Sequence, residues 1–188
     1  PEATIRLGDV ARADAHLAVA ELRALGVRST LLTGDNAFAA RRIATAAGVD
    51  DVMGEVDPAA KAAWIRARQE SGRRVLFAGD GLNDGPALAA ADIGIAMATG
   101  AAASVLVADG IISTRSLSPI AAGIRAARAA QRAVLRSQRG SILYNMLAVG
   151  AAVLGLVNPL VAAVLMPLSS GVVIWSAARV ERSVRRGD

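Results

Sequence analysis

Cysteine is absent from the 188 residues, and histidine, lysine and tyrosine occur once each, as His16, Lys61 and Tyr144. Without a thiol there is no disulfide framework, no thiolate metal site and no cysteine nucleophile. One histidine cannot by itself build a His-cluster metal site or a Ser-His-Asp relay. Aromatic residues make up 3% and charged residues 20%, while the hydrophobic set reaches 54% and mean hydropathy is +0.43. Those proportions exclude a disordered chain and argue against a wholly soluble domain.

Negative charge is scarce in the C-terminal part. Residues 1–110 hold 11 basic and 14 acidic residues, but residues 111–188 hold 10 arginines and 2 acids. A pI near 11.1 taken alone would suggest nucleic acid. The positive charge, however, borders a long apolar tract, so a lipid bilayer and not nucleic acid is the expected partner. From 140 to 178 the only ionisable side chain is Tyr144. These 39 residues are about twice the ~20 that one membrane helix needs. Asn158-Pro159 near the middle suits a tight turn, so a transmembrane hairpin is predicted, with spans at 140–158 and 159–178. Arg136 and Arg139 before it, and Arg179, Arg182, Arg185 and Arg186 after it, put both ends on the cytoplasmic side of a plasma membrane. The tract is C-terminal and too long for a signal peptide, and no N-terminal targeting segment is visible. A start at Pro1-Glu2 without methionine leads us to expect a fragment or a processed chain.

What is present ahead of that tract is an alternation of strand-like and helix-like stretches. Strands are predicted at 4–7, 27–32, 52–53, 74–78 and 93–97, and helices at 9–26, 37–47, 57–71 and 86–91. In the first helix Leu17, Leu22 and Leu25 recur at near-helical spacing. Such spacing implies parallel βαβ units, whose ligands sit at the carboxyl ends of the strands. Both aspartate-bearing turns, 33–36 and 79–85, fall at that edge. A helix over 116–139 carries Arg125, Arg128, Arg132, Arg136 and Arg139 on one face, with Ile120, Ile124, Val134 and Leu135 on others. That face is either simply solvated or a stalk surface touching anionic lipid.

The most informative string is Gly79-Asp80-Gly81-Leu82-Asn83-Asp84-Gly85-Pro86. Asp80 leaves an apolar strand and Asp84 stands at a helix start. Carboxylates this close repel unless a cation intervenes, which suggests Mg²⁺ held by oxygen ligands. An EF-hand is excluded, because its twelfth position would be Ala91 in place of a bidentate glutamate. The plainer alternative makes Asp84 a helix cap. In Thr33-Gly34-Asp35-Asn36 a hydroxyl and backbone amides at a helix start make either an anion site or an ordinary capping turn. Lys61 would add a point cation for a phosphoryl group. Together these parts imply phosphoryl chemistry without a nucleophile, since no Asp-Lys-Thr-Gly segment occurs.

These motifs, in their order along the chain, resemble the P-type ATPases. The run Asp9, Arg12, Thr33–Asn36, Pro58 with Lys61, Gly79–Asp84 and Ala91-Asp92-Ile93-Gly94-Ile95-Ala96-Met97 resembles the C-terminal half of their phosphorylation domain. Tyr144-Asn145 and Met166-Pro167-Leu168-Ser169-Ser170 look like the last two spans of the heavy-metal (copper-type, class IB) pumps. The resemblance implies an α/β, partial haloacid-dehalogenase-like (Rossmann-like) domain, then a long helix and a two-helix transmembrane hairpin. The implied boundaries are 1–115 for the phosphorylation-domain part, 116–139 for the stalk helix, 140–158 and 159–178 for the spans, and 179–188 for a basic tail. It further implies a pump driven by ATP through an aspartyl phosphate. In that cycle Asp80 and Asp84 would hold Mg²⁺, Thr33 and Lys61 would contact the phosphoryl group, and Gly34, Asp35 and Asn83 would complete the catalytic loops. Asn36 would shape the loop and hinge.

Tyr144, Asn145, Met166, Ser169 and Ser170 would line the path of the transported ion. This set is neutral and includes a thioether, which suits Cu⁺ better than Zn²⁺, with Ag⁺ and Co²⁺ as further alternatives. The missing N-terminal parts of the same pump would then be partners. Two other readings stay open: a membrane-anchored phosphate- and Mg²⁺-binding module without turnover, and a small Mg²⁺-dependent phosphatase.

Overall fold

The computed structural model describes residues 11–79, 82–97 and 106–155. The strand expected at 4–7, the span expected at 159–178 and the basic tail at 179–188 lie outside these residues. The chain divides into two compact units between Ala121 and Ala122.

The first unit begins with helix α1, Ala15–Ala24. Its buried residues are Ala15, Ala18 and Val19, and Leu17, one of the leucines at near-helical spacing, is 67% exposed. Positions 15, 18, 19 and 22 share one helical face, and Leu17 lies off it. Strand β1 spans Thr30–Leu32 and pairs in parallel with β2, Asp51–Met53. β1 starts later than predicted because the chain before it is held by a side chain. The Asp50 carboxylate accepts from Ser29 N (2.8 Å) and Ser29 Oγ (3.0 Å), and from Arg23 Nη2 at 2.7 Å. Between the strands runs α2, Ala37–Ala47, where the Asn36 side chain accepts from Ala39 N at 2.9 Å. Helix α3, Pro58–Glu70, opens with Asp57 accepting from Ala60 N at 2.7 Å and with proline at the first helical position.

Strand β3, Leu76–Gly79, is followed by a 3₁₀ turn, Leu82–Asp84, helix α4, Gly85–Ala90, and strand β4, Ile93–Met97. A further strand not predicted from the sequence, β5, covers Gly110–Ile112. Three residues give too little alternation to be read as a strand. All pairings are parallel, in the orders β1-β2 and β3-β4-β5. The core is built largely from alanine, with Ile65 on α3 and Leu88 on α4 its largest fully buried side chains.

Asp50 is expected to contribute to the acid response of the unit. Its pKa falls from 3.8 to about 2, chiefly through the Ser29 backbone N–H and then the Arg23 and Ser29 side chains. A depressed carboxylate contributes stability above its unfolded pKa and loses it as pH falls through the folded value. Asp50→Asn is therefore expected to flatten the loss of thermal stability between about pH 4 and pH 2, as melting curves at stepped pH would show. An unchanged slope would remove Asp50 from the acid response.

The long helix α5, Ser118–Val153, has 36 residues. Its first turn belongs to the first unit, where Asp14 organises it from the far end of the sequence. Asp14 Oδ2 accepts from Ser116 Oγ (2.7 Å) and Leu117 N (2.6 Å), and Arg12 Nη1 donates to Arg115 O at 2.8 Å. These bonds, led by the one from Ser116, lower the Asp14 pKa. Beyond Ala121 the helix runs unbroken across the expected 139/140 boundary to Val153. Among the described residues no helix is long and apolar enough to cross a membrane. The uncharged part of α5 after Arg139 reaches 14 residues by Val153, short of a full span.

Candidate active site

Two loops leave the carboxyl ends of their strands and carry the residues singled out above. The first follows β1. Thr33 N donates to Met53 O (3.0 Å) and Val56 N donates to Thr33 O (3.0 Å), which fixes the loop against the end of β2. Thr33 Oγ1 donates to Asp35 Oδ2 (2.8 Å) and accepts from Asp35 N (3.1 Å). Glu55, at a positive φ of 58°, donates its N–H to Asp35 O at 2.7 Å. Gly34, Asp35 and Asn36 are exposed while Thr33 is half-buried, so the hydroxyl is recessed behind an open carboxylate. Asn36 is spent on capping α2 and shapes the loop from there.

The second loop follows β3. Asp84 precedes α4 in the capping position, yet its side chain makes no capping bond. Its Oδ1 instead meets Lys61 Nζ at 2.7 Å, with the two side chains only 13% and 12% exposed. The pair joins the 3₁₀ turn to the first turns of α3 across 23 residues of sequence. Gly79 makes room for it: a Cβ there would lie 2.7 Å from Asp84 Oδ2 and 2.9 Å from Asp84 Cγ. The glycine thus serves the carboxylate. Asn83 is exposed on the same turn. Asp80 lies outside the described residues, as do Met166, Ser169 and Ser170. Tyr144 and Asn145 stand on α5, the first half-buried and the second exposed.

Among the described residues no group of three or more His, Asp or Glu side chains converges in metal-binding geometry. The oxygen donors of the second loop nonetheless fit a hard divalent ion in kind, since the turn offers carboxylate and carbonyl oxygen and no soft ligand. With Oδ1 of Asp84 on Lys61, this carboxylate would be shared between an ammonium and the ion. An open cleft of about 490 Å³ is lined by Arg23, Arg41, Thr45, Asp50 and Asp51 among others, and by no residue of either loop. Residues that sequence reasoning did not single out are Glu55, Asp14 and the particular role of Gly79. Only the glycine, inside a recognised motif, carried any signal.

The model of the haloacid dehalogenase-like hydrolase family matches residues 1–92. Over 95% of its length the chain is 36% identical to cation-transporting P-type ATPase B of Mycobacterium tuberculosis, and covers 24% of that protein. It is 37% identical over 97% of its length to a copper-exporting P-type ATPase of the same organism, again covering 24% of it. Among solved structures, a zinc-transporting PIB-type ATPase in its E2.Pi state superposes with a TM-score of 0.84 at 30% identity, over 92% of this chain and 28% of that one. The chain thus spans about a quarter of the length of the curated relatives it matches. Residues 1–92 thus match the haloacid dehalogenase-like hydrolase family, and along most of its length the chain is similar to cation-transporting and copper-exporting P-type ATPases.

Proposed function

We propose that the chain is the C-terminal portion of an ATP-driven heavy-metal pump of the plasma membrane, with Cu⁺ as its cargo, working through an aspartyl phosphate. The observation that carries this reading is the Lys61–Asp84 pair, held nearly dry at the carboxyl edge of the β3-β4-β5 sheet. A surface lysine would normally be solvated; this one is fixed by a carboxylate four positions after Asp80 in the sequence.

The open strand edges support it further. Among the described strands β1 pairs only with β2, and β3 pairs only with β4. These two strands lead into the two loops. A parallel strand inserted between them would bring its own C-terminal residue between Thr33 and Lys61, where a phosphate acceptor is needed. We assign that strand and its acceptor aspartate to a further part of the same polypeptide, together with the ATP-binding region.

In such a site Lys61 presents its ammonium to phosphoryl oxygens, and Asp84 keeps it oriented so that little reorganisation accompanies transfer. Thr33 Oγ1 already donates to Asp35 Oδ2. A phosphoryl oxygen arriving there takes over that donor, and the exposed Asp35 carboxylate turns outward. Asp80 and Asp84 would hold Mg²⁺, which when bound neutralises charge on the transferring group. On the membrane side we assign 140–158 and 159–178 to a hairpin with both ends cytoplasmic, and Tyr144, Asn145, Met166, Ser169 and Ser170 to the ion path. Their neutral, thioether-containing set favours a soft monovalent ion.

Metal-stimulated ATPase of the full-length gene product tests both parts. Cu⁺ and Ag⁺ are expected to stimulate, and Zn²⁺ and Co²⁺ to have little effect. Dominant stimulation by Zn²⁺ would overturn the cargo while leaving the pump in place. Asp80→Asn should abolish phosphoenzyme formation, and normal phosphoenzyme levels would remove Asp80 from the site.

A further inference from the structure

We propose that α5 binds the phosphate groups of anionic lipid through Arg136 and Arg139, with the more distal arginines of its stripe standing clear of the membrane. The inference rests on the membrane reading above and adds to it a lipid class and a position. At 100° per residue, Arg125, Arg128, Arg132, Arg136 and Arg139 fall within an arc of about 80°. All five are exposed, and α5 contains no aspartate or glutamate. Like charges three and four residues apart repel on a helix. Arg136 and Arg139, exposed at the end of this row, have no carboxylate along their own helix, and a lipid phosphate is the anion their position offers.

The same helix changes character at a single point. After Arg139 come only uncharged residues, and Ile142, Leu143, Met146, Leu147, Val149 and Val153 are 60–81% exposed. With these in hydrocarbon and the helix upright, Arg139 stands at the hydrocarbon boundary. A rise of 1.5 Å per residue puts Arg136 about 5 Å above it, Arg132 about 10 Å and Arg125 about 21 Å. The headgroup layer on one side of a bilayer is only about 5–8 Å thick. Arg136 and Arg139 therefore lie inside it, and their side chains meet lipid phosphate directly. Arg132 sits near the limit set by a screening length of about 8 Å, and Arg128 and Arg125 lie beyond it.

The test uses the full chain reconstituted into vesicles of phosphatidylcholine alone or mixed with phosphatidylglycerol, followed by mild detergent extraction and quantification of the lipid retained. Phosphatidylglycerol should be enriched over phosphatidylcholine. Arg136→Gln with Arg139→Gln should reduce the enrichment about twenty-five-fold, at roughly fivefold per arginine in the headgroup layer. Arg125→Gln with Arg128→Gln should leave it nearly unchanged. An equal loss in both double variants, or none in either, would overturn the proposal. So would displacement of the lipid by inorganic phosphate at matched ionic strength. Resistance of the chain to carbonate extraction from neutral vesicles reports insertion separately. A chain that fails to insert undermines the membrane reading itself, whereas one that inserts without preferring phosphatidylglycerol refutes only the lipid assignment.

Discussion

On the proposed assignment, Lys61→Ala in the full-length gene product is expected to lower the rate of phosphoenzyme formation by on the order of 10²–10³-fold, the usual cost of losing one preorganised donor at a transferring group. The same change leaves the Asp84 carboxylate, 13% exposed, without the ammonium 2.7 Å away. Removing one partner of a largely buried pair costs about 3 kcal/mol, so a loss of activity alone would be ambiguous. Lys61→Gln combined with Asp84→Asn separates the effects, because two neutral amides can bond across the same gap. Melting temperature should return towards that of the parent protein, while acid-quenched phosphoenzyme from labelled ATP stays low. Recovery of both would make the pair a structural tie and remove Lys61 from the chemistry.

The second large effect is expected at Gly94. A Cβ there would stand 2.5 Å from Leu88 O and 3.1 Å from Leu88 C, which are backbone atoms of α4. The helix cannot yield locally, because Ala87 and Leu88 are 0% and 1% exposed. Gly94→Ala should therefore destabilise the unit by about 3 kcal/mol, the upper part of the overpacking range. It should also drag the Asp84 turn, which α4 follows directly. Gly79→Ala acts through a side chain instead. The three atoms nearest its Cβ all belong to the Asp84 side chain, whose displacement breaks the Lys61 pair, so phosphoenzyme formation should fall together with stability, the latter by about as much as in Lys61→Ala. Chemical denaturation of both variants, alongside the phosphoenzyme assay, reads both effects. A Gly94→Ala protein as stable as the parent would show that α4 can move away from β4 at little cost.

Much of the fold follows from local chemistry and was legible without coordinates. Asn36 and Asp57 cap α2 and α3 because each is a short polar acceptor placed before a helical run. The expected helix at 37–47 and strand at 93–97 coincide with α2 and β4. Less legible were the edges of elements, where side chains from elsewhere take the backbone bonds. Asp50 does this at Ser29, and Asp92 does it for the N–H of Val75 at 2.8 Å, so β3 begins at Leu76 and not at 74. Nor did periodicity locate the core of α1. Leu17 belongs to the near-helical leucine spacing, but the face that packs is set by alanines small enough to approach their neighbours closely.

The sequence by itself determined which groups are available: a single lysine, two aspartate turns at strand ends, an acid-free row of arginines and an uncharged tract beyond it. Those are properties of residue type and spacing along one chain, and short-range bonding fixes them. Tertiary structure alone decided that Asp84 holds Lys61 instead of capping α4, and that Gly79 is bare to admit that carboxylate. It also decided that Asp14 reaches Ser116 and Leu117 at the entry of α5. Each of these joins residues 5 to about 100 positions apart. Which buried charge meets which partner depends on how the helices pack on the sheet, and no local pattern encodes that.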